Sequence, residues 1–218
     1  KVVACRWVRL FCERHKRDLK TGRKRGIYFD RDAAQHAIEF YQFLHHSKGK
    51  WAGKTIYLEP WQQAIVWVLF GWQRRKTRTR RFRSGYVEIA RKNGKTTMAS
   101  GLALYMMLAD GEAGAEVYSA ATKRDQAKLA WDEAGRMVKA SPHLRQHITV
   151  HKDKIFLKWD QASKYVPLGR DSDTMDGLNV HCAIVDELHA HRTSEIWDVL
   201  ETGTGARTQA LMFGITTA

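Results

Sequence analysis

The stretch Tyr86-Val87-Glu88-Ile89-Ala90-Arg91-Lys92-Asn93-Gly94-Lys95-Thr96-Thr97 constrains the fold more than any other part of the chain. Residues 84–90 predict a buried strand. From Lys95 onward, Met98, Leu102, Tyr105, Met106 and Ala109 recur at helical spacing and predict a helix over about 95–109. The turn between them carries Gly94-Lys95-Thr96, the second half of a phosphate-binding loop. In such a loop backbone N–H groups and the helix N-terminus surround a phosphate, where the positive end of the helix dipole lies. The lysine reaches the β and γ oxygens, and the hydroxyl after it ligates Mg²⁺. The full pattern has glycine five positions before Gly94, but Ile89 stands there, so the match is partial. A lysine on an ordinary helix N-terminus would satisfy the triplet equally well.

The downstream chain supplies context. Ala115–Ala120 predicts a strand, and Thr122 is placed to cap a helix that runs to about 140 and is ended by Ser141-Pro142. Alternating runs at 147–158 and 164–168 predict a β-hairpin with a third short strand. Val180–Val185 predicts another buried strand, with a helix near 193–201, and Gln209–Ile215 predicts the last strand. Strands alternating with helices of this length imply an α/β fold: a mainly parallel central sheet flanked by helices, with a small antiparallel hairpin addition.

Ligand sites of open α/β sheets lie at the carboxyl ends of the strands. Ala183-Ile184-Val185 runs directly into Asp186-Glu187 at such an end. An acidic pair there can cap a following helix. Paired with the upstream glycine-lysine-threonine, it instead becomes the other half of a nucleotide-hydrolysing site. Asp186 would hold Mg²⁺ through water beside Thr96, and Glu187 would orient and deprotonate the attacking water. The last strand ends in Thr216-Thr217, where a hydroxyl can report whether the γ-phosphate is present.

Composition narrows the class. At 218 residues with 44 % hydrophobic content the chain can bury a core and is not a disordered protein. The longest apolar run, Ala64–Phe70, falls far short of the roughly 18–20 residues of a membrane span, so no membrane partner is expected. No apolar region of a signal peptide follows the first residues. Three cysteines, Cys5, Cys12 and Cys182, are too few for a disulfide framework, and the spacing of Cys5, Cys12 and His15 fits no zinc pattern. A net charge of +14 points to an anionic partner, most simply nucleic acid.

Residues 1–60 form an N-terminal helical and loop segment expected to pack on a core spanning 61–218. Asp30-Arg31-Asp32 predicts a helix start, and Pro60 opens an apolar helix over 61–72. Gln62, near that helix start, carries both a donor and an acceptor and could pair with an adenine edge. Arg74, Arg75, Lys76, Arg78, Arg80, Arg81 and Arg83 crowd into ten residues, a density that predicts a surface loop or hairpin facing an anion.

Six motifs then occur in order: Leu58-Glu59-Pro60-Trp61-Gln62, Ala90–Thr96, Ala120-Ala121-Thr122-Lys123-Arg124-Asp125-Gln126-Ala127, Asp176-Gly177-Leu178-Asn179, Val185-Asp186-Glu187-Leu188-His189 and Ile215-Thr216-Thr217-Ala218. Together they resemble the ATPase domain of tailed-phage large terminases, most of all the HK97-type branch. The resemblance implies a P-loop NTPase of the additional-strand, catalytic-glutamate type, with ATP and Mg²⁺ as cofactors. In that family the first loop glycine is often replaced and an arginine follows, as with Ile89 and Arg91. By position, Gln62 would contact adenine, and Arg91, Lys92, Asn93, Gly94, Lys95, Thr96 and Thr97 would form the phosphate loop, with Thr96 and Asp186 on Mg²⁺. Glu187, Lys95 and Arg91 would be catalytic, and Thr216 and Thr217 would form the coupling motif.

The resemblance further implies a motor that drives double-stranded DNA into a preformed capsid in the host cytoplasm. Its partners would be the portal protein, the small terminase subunit and other copies of the chain in a ring, expected to be a pentamer, with a monomer expected when alone. Many relatives carry a trans-acting arginine about eleven residues before the catalytic glutamate. Asp176 stands there, which leaves Arg170 or Arg207 as candidates. No nuclease domain follows the coupling motif, so this stretch is not expected to cut DNA. The alternatives from the residues alone are another P-loop ATPase on nucleic acid, of helicase or recombination type, and a basic binding module whose loop is structural.

Overall fold

The computed structural model describes residues 3–122, 124–169, 177–191 and 193–218, excluding the side chain of residue 124. Helix α1 (Arg6–Thr21) leads into a two-stranded antiparallel ribbon whose first strand is β1 (Ile27–Phe29). Asp30 then caps α2 (Arg31–Glu39), its carboxylate accepting from the Ala33 amide at 3.0 Å. Helix α3 (Pro60–Gly71) starts with proline at its first turn, as the sequence predicts. It runs into β2 (Trp72–Arg74), the partner of β1.

The main body follows: β3 (Ser84–Ile89), α4 (Lys95–Leu108), β4 (Glu116–Ala120), α5 (Arg124–Ala140), α6 (Pro142–His147), β5 (Ile148–Val150), β6 (Ile155–Leu157), β7 (Lys164–Leu168), β8 (Val180–Asp186), α7 (Glu195–Thr202) and β9 (Leu211–Thr217). Seven strands form one sheet in the order β3-β9-β8-β4-β7-β6-β5. The first five are mutually parallel, and β6 and β5 extend the sheet as an antiparallel hairpin. The expected α/β class and hairpin addition are therefore present. β7, expected as the hairpin's third strand, is also the parallel partner of β4.

The inner strands β9, β8 and β4 bury both faces, whereas β3, the edge strand and expected from sequence to be buried, alternates exposed and half-buried residues, with Tyr86 and Glu88 exposed. Cys182, Ile184, Phe213 and Ile215 join a core with α3, α4 and α5, whereas Ala183, Val185 and Met212 pack under Ile196 and Leu200 of α7. Helix α4 is almost wholly enclosed, buried from Met98 to Met107, because the segment after α2 lies across it. Phe40, Tyr41 and Leu44 belong to the same core, and the Tyr41 hydroxyl donates to the Met98 carbonyl at 2.7 Å. The close approach requires Gly101: a Cβ there would lie 2.9 Å from Leu44 Cδ1 and would overlap the Tyr41 ring.

Ser141-Pro142 ends α5 as expected and also starts α6, since the Ser141 hydroxyl accepts from the Leu144 amide at 3.2 Å. The basic run 74–83 is not uniformly a surface loop. Arg80 is buried, with its guanidinium bidentate on Asp110 at 2.6 and 3.2 Å, and Arg81 joins Arg25 on the buried Asp18 carboxylate. Arg74, Arg75, Lys76 and Arg78 remain exposed. A dense charge run thus splits into structural and displayed members, because buried acids neutralise some of it.

Candidate active site

The phosphate loop leaves β3 at Ile89 and enters α4 at Lys95. Two of its residues take left-handed backbone angles, Lys92 at φ 65° and Gly94 at φ 74°. Gly94 is the residue type suited to that region, whereas Lys92 adopts it at a cost, as side-chain-bearing residues at functional turns do. The Asn93 amide closes the turn, donating to the carbonyls of Ala90 at 3.0 Å and Arg91 at 3.3 Å. Asparagine suits this because its short amide can bridge its own backbone. Arg91, Lys92, Asn93 and Gly94 are exposed, while Lys95, Thr96 and Thr97 are half-buried as α4 begins.

Strand β9 lies between β3 and β8, so the tips of three adjacent parallel strands meet beside the loop. Register pairs Ile89 with Thr217 and Asp186 with Ile215. Across these tips the Lys95 ammonium pairs with Glu187 Oε1, stands 3.4 Å from Asp186 Oδ1 and donates to Thr217 Oγ1 at 2.9 Å. Thr217 in turn holds both oxygens of Glu187: its hydroxyl donates to Oε1 at 2.9 Å and its amide to Oε2 at 3.2 Å. Glu187 sits at φ 49°, a left-handed conformation outside the preferred range of a glutamate, and its amide donates to Asp186 Oδ1 at 2.8 Å.

The two acids have opposite electrostatic settings. Burial pushes the Asp186 carboxyl above its ordinary value, only partly opposed by Lys95. Burial acts on Glu187 in the same sense, but the Lys95 ammonium and the Thr217 donors outweigh it and hold that carboxyl below its ordinary value. A carboxylate kept ionised beside a half-buried lysine is equipped to accept a proton or to orient a water. The pair also fits a hard divalent cation. Asp186 and Glu187 already draw a cation, the Lys95 ammonium, through carboxylate oxygens of the kind Mg²⁺ prefers. Among the described residues no group of three or more His, Cys, Asp or Glu forms a separate metal site.

The remaining candidates are placed as follows. Gln62 is buried at the start of α3, where its Oε1 accepts from the Glu59 amide at 2.9 Å in a capping box, so its acceptor is already engaged. Its Nε2 lies beside the loop, 3.3 Å from where a Gly94 Cβ would be. Arg91 makes no ion pair among the described residues. Arg207 precedes β9, at the amino ends of the strands, where its buried guanidinium is held by Glu112 at 2.8 Å and by the carbonyls of Ala113, Gly114 and Asn179. A large, donor-rich side chain near the strand start is legible in sequence, but its acceptors are not. Arg170 lies outside the described residues.

From sequence, His189 and His191 on the loop after the acids are loop residues or side chains that support the site; His189 takes the supporting place, its Nδ1 hydrogen-bonding Thr216 Oγ1 and standing 3.3 Å from Glu187 Oε2. Only its place two residues past Glu187 could have signalled this, and that spacing alone says little about which way a loop folds.

The family described as the terminase large subunit ATPase domain matches residues 60–218. This chain belongs to that family. The terminase large subunit of Enterobacteria phage HK97 is 27 % identical over 175 residues, covering 78 % of this chain and 33 % of that protein. Protein YmfN of Escherichia coli K12 is 54 % identical over 43 residues, which is 20 % of this chain and 10 % of that protein. The present chain therefore spans about a third or less of these relatives. The crystal structure of the HK97 large terminase superposes with a TM-score of 0.70 at 24 % identity, covering 84 % of this chain and 37 % of that one. The ATPase domain of the Thermus phage P74-26 large terminase gives 0.53 at 17 % identity, covering 73 % and 65 %. At those identities the structural likeness speaks for the shared fold.

Proposed function

We propose that this terminase ATPase domain binds ATP at the phosphate loop and hydrolyses it to drive double-stranded DNA into a preformed capsid. The observation that carries the proposal is the convergence of Lys95, Asp186, Glu187 and Thr217 at the tips of three adjacent parallel strands. The free amides at the start of α4 and the loop backbone receive the phosphates, and Lys95 transfers from Glu187 to the β and γ oxygens. Arg91, exposed on the loop, adds a second positive charge to the transferring phosphoryl group. Gln62 Nε2 offers a donor to the base.

Mg²⁺ would be held by Thr96 and by Asp186 and would neutralise charge on the phosphate oxygens. Glu187, ionised and fixed by Thr217, accepts a proton from the water in line with the γ-phosphate. Thr216 and Thr217 carry the change in γ-phosphate occupancy into β9. The arginines displayed at the β2 turn face the DNA backbone. The portal protein, the small subunit and a ring of copies, as in the family, would complete the motor, and an arginine from a neighbour would raise its rate by roughly 10³–10⁵.

Phosphate release measured under single-turnover conditions tests this reading. Lys95→Ala loses both nucleotide binding and turnover, whereas Glu187→Gln keeps binding and loses turnover. Turnover that survives both changes would refute it. Strand separation of a duplex by the chain would favour a helicase instead.

A further inference from the structure

His189 lies on the short 3₁₀ turn Leu188–Ala190 that follows β8, and about half of its side chain is exposed. A half-exposed histidine on a turn is free to point at solvent. This one instead folds back, so that Nδ1 meets two groups from different strands. One is Glu187 Oε2 at 3.3 Å, just past the end of β8. The other is Thr216 Oγ1 in β9. Thr216 is buried, and His189 is the one hydrogen-bond partner of its hydroxyl among the described residues.

The chemistry of the donors limits what this contact can be. An ionised carboxylate only accepts, so Nδ1 favours Glu187 only in the form that carries a proton there, and that Nδ1–H also faces the Thr216 oxygen. Glu187 is thus held at both oxygens, Oε1 by Lys95 and the Thr217 hydroxyl and Oε2 by the Thr217 amide, with His189 Nδ1 3.3 Å from Oε2. Once Lys95 turns to a phosphate, the Thr217 contacts and His189 are what remain to fix the carboxylate.

We propose that His189 is a positioning residue that orients the Glu187 carboxylate for proton acceptance and ties it to the tip of β9 through Thr216. The proposal rests on the ATP-hydrolysis reading above. It gives that reading a physical link from the general base to the strand that would carry the γ-phosphate signal. Removing the imidazole leaves Glu187 Oε2 with the Thr217 amide and leaves a buried Thr216 hydroxyl without its partner. Misplacement of a reacting group by about 1 Å costs on the order of 10²-fold in rate.

The test compares single-turnover rates and ATP-analogue affinity for His189→Ala, His189→Asn, His189→Gln, Thr216→Val and the His189→Ala/Thr216→Val pair. Asparagine carries its amide nitrogen where Nδ1 sits, and glutamine carries its own where Nε2 sits. The expected result is a rate loss on the order of 10²-fold in His189→Ala with affinity unchanged. Asparagine should recover much of the rate and glutamine should not. The double variant should be no slower than the slower single variant, because both remove one shared contact. A merely structural histidine would not separate asparagine from glutamine at unchanged affinity. Wild-type turnover in His189→Ala, equal rates for asparagine and glutamine, or additive losses in the pair would each overturn the proposal. If Glu187→Gln itself retains turnover while Lys95→Ala loses it, hydrolysis at the loop stands but Glu187 is not the base, and this role falls with that assignment. If Glu187→Gln is dead and His189→Ala is fully active, this role alone is wrong.

Discussion

The Lys95 ammonium reaches past the tip of β9 to pair with Glu187, the residue that follows β8. The same lysine is the group a bound polyphosphate needs, so nucleotide and glutamate compete for it. Glu187→Gln removes the competing charge. Since both side chains are only partly buried, the pair is worth about 1 kcal/mol. The expected outcome is ATP-analogue binding tightened by about fivefold while turnover is lost. Isothermal titration of the two proteins measures it, and weaker binding in the variant would show that Glu187 does not restrain Lys95.

A second pair, far from the site, bears on stability. Asp110 accepts from Arg80 at 2.6 and 3.2 Å and from His181 Nε2 at 2.9 Å, all of them buried. Burial works against the Asp110 carboxylate, but Arg80 and His181 outweigh it and hold the group below its ordinary value of 3.8. Such a depressed group stabilises the fold above its unfolded value, and that contribution is lost as pH falls through its folded value. Asp110→Asn should cost roughly 3–5 kcal/mol at neutral pH, since it leaves a buried guanidinium without its counter-charge. The gap between variant and wild type should begin to narrow only below 3.8 and should close as pH passes the depressed folded value. Denaturant unfolding from pH 7 to pH 3 checks this; a gap that stays constant with pH would contradict it.

Gly101 makes a sharper packing test. Alanine there favours the helix by about 1 kcal/mol. Yet the added methyl would overlap the Tyr41 ring and stand 2.9 Å from Leu44 Cδ1. Overpacking of that kind costs about 1–3 kcal/mol, so Gly101→Ala should lower the melting temperature. An unchanged or raised melting temperature would mean that the segment after α2 gives way easily.

The displayed arginines predict a salt signature. Arg75 and Arg78 are exposed at the β2 turn, where Arg78 stacks over Tyr28 at 5.4 Å and donates to its hydroxyl at 3.1 Å. If each meets a phosphate, the double alanine variant should flatten the plot of log affinity for duplex DNA against log salt by about 0.9 per lost contact. Turnover without DNA should be unchanged. The comparison protein is Lys152→Ala, on the β5–β6 turn at the far end of the sheet, which should retain the wild-type slope. A slope unchanged in the arginine variant would place the DNA elsewhere.

The sequence exposed those parts of the molecule that local chemistry dictates. The strand, turn and helix around Gly94 are written in hydrophobic period and turn chemistry, and the acids after Val185 announce a strand end. The position of β9 between β3 and β8 came from the family resemblance, because strand order depends on contacts distant in the chain. Arg80 and Arg81 were misjudged for the same reason. A run of arginines looks solvated until the acids that bury them, Asp18 and Asp110, are seen to come from other segments. The direction of His189 was not legible because a single loop residue has no period to betray it. Gln62 was picked out, but not the capping bond to Glu59 that uses its acceptor.

The most direct test of the site is a crystal structure with Mg²⁺ and a non-hydrolysable ATP analogue. The γ-phosphate should lie among Lys95, Glu187 and Thr217, with the Lys95 ammonium moved from Glu187 onto the phosphate oxygens and a water held by Glu187. An analogue bound elsewhere, with Lys95 still paired to Glu187, would contradict the account.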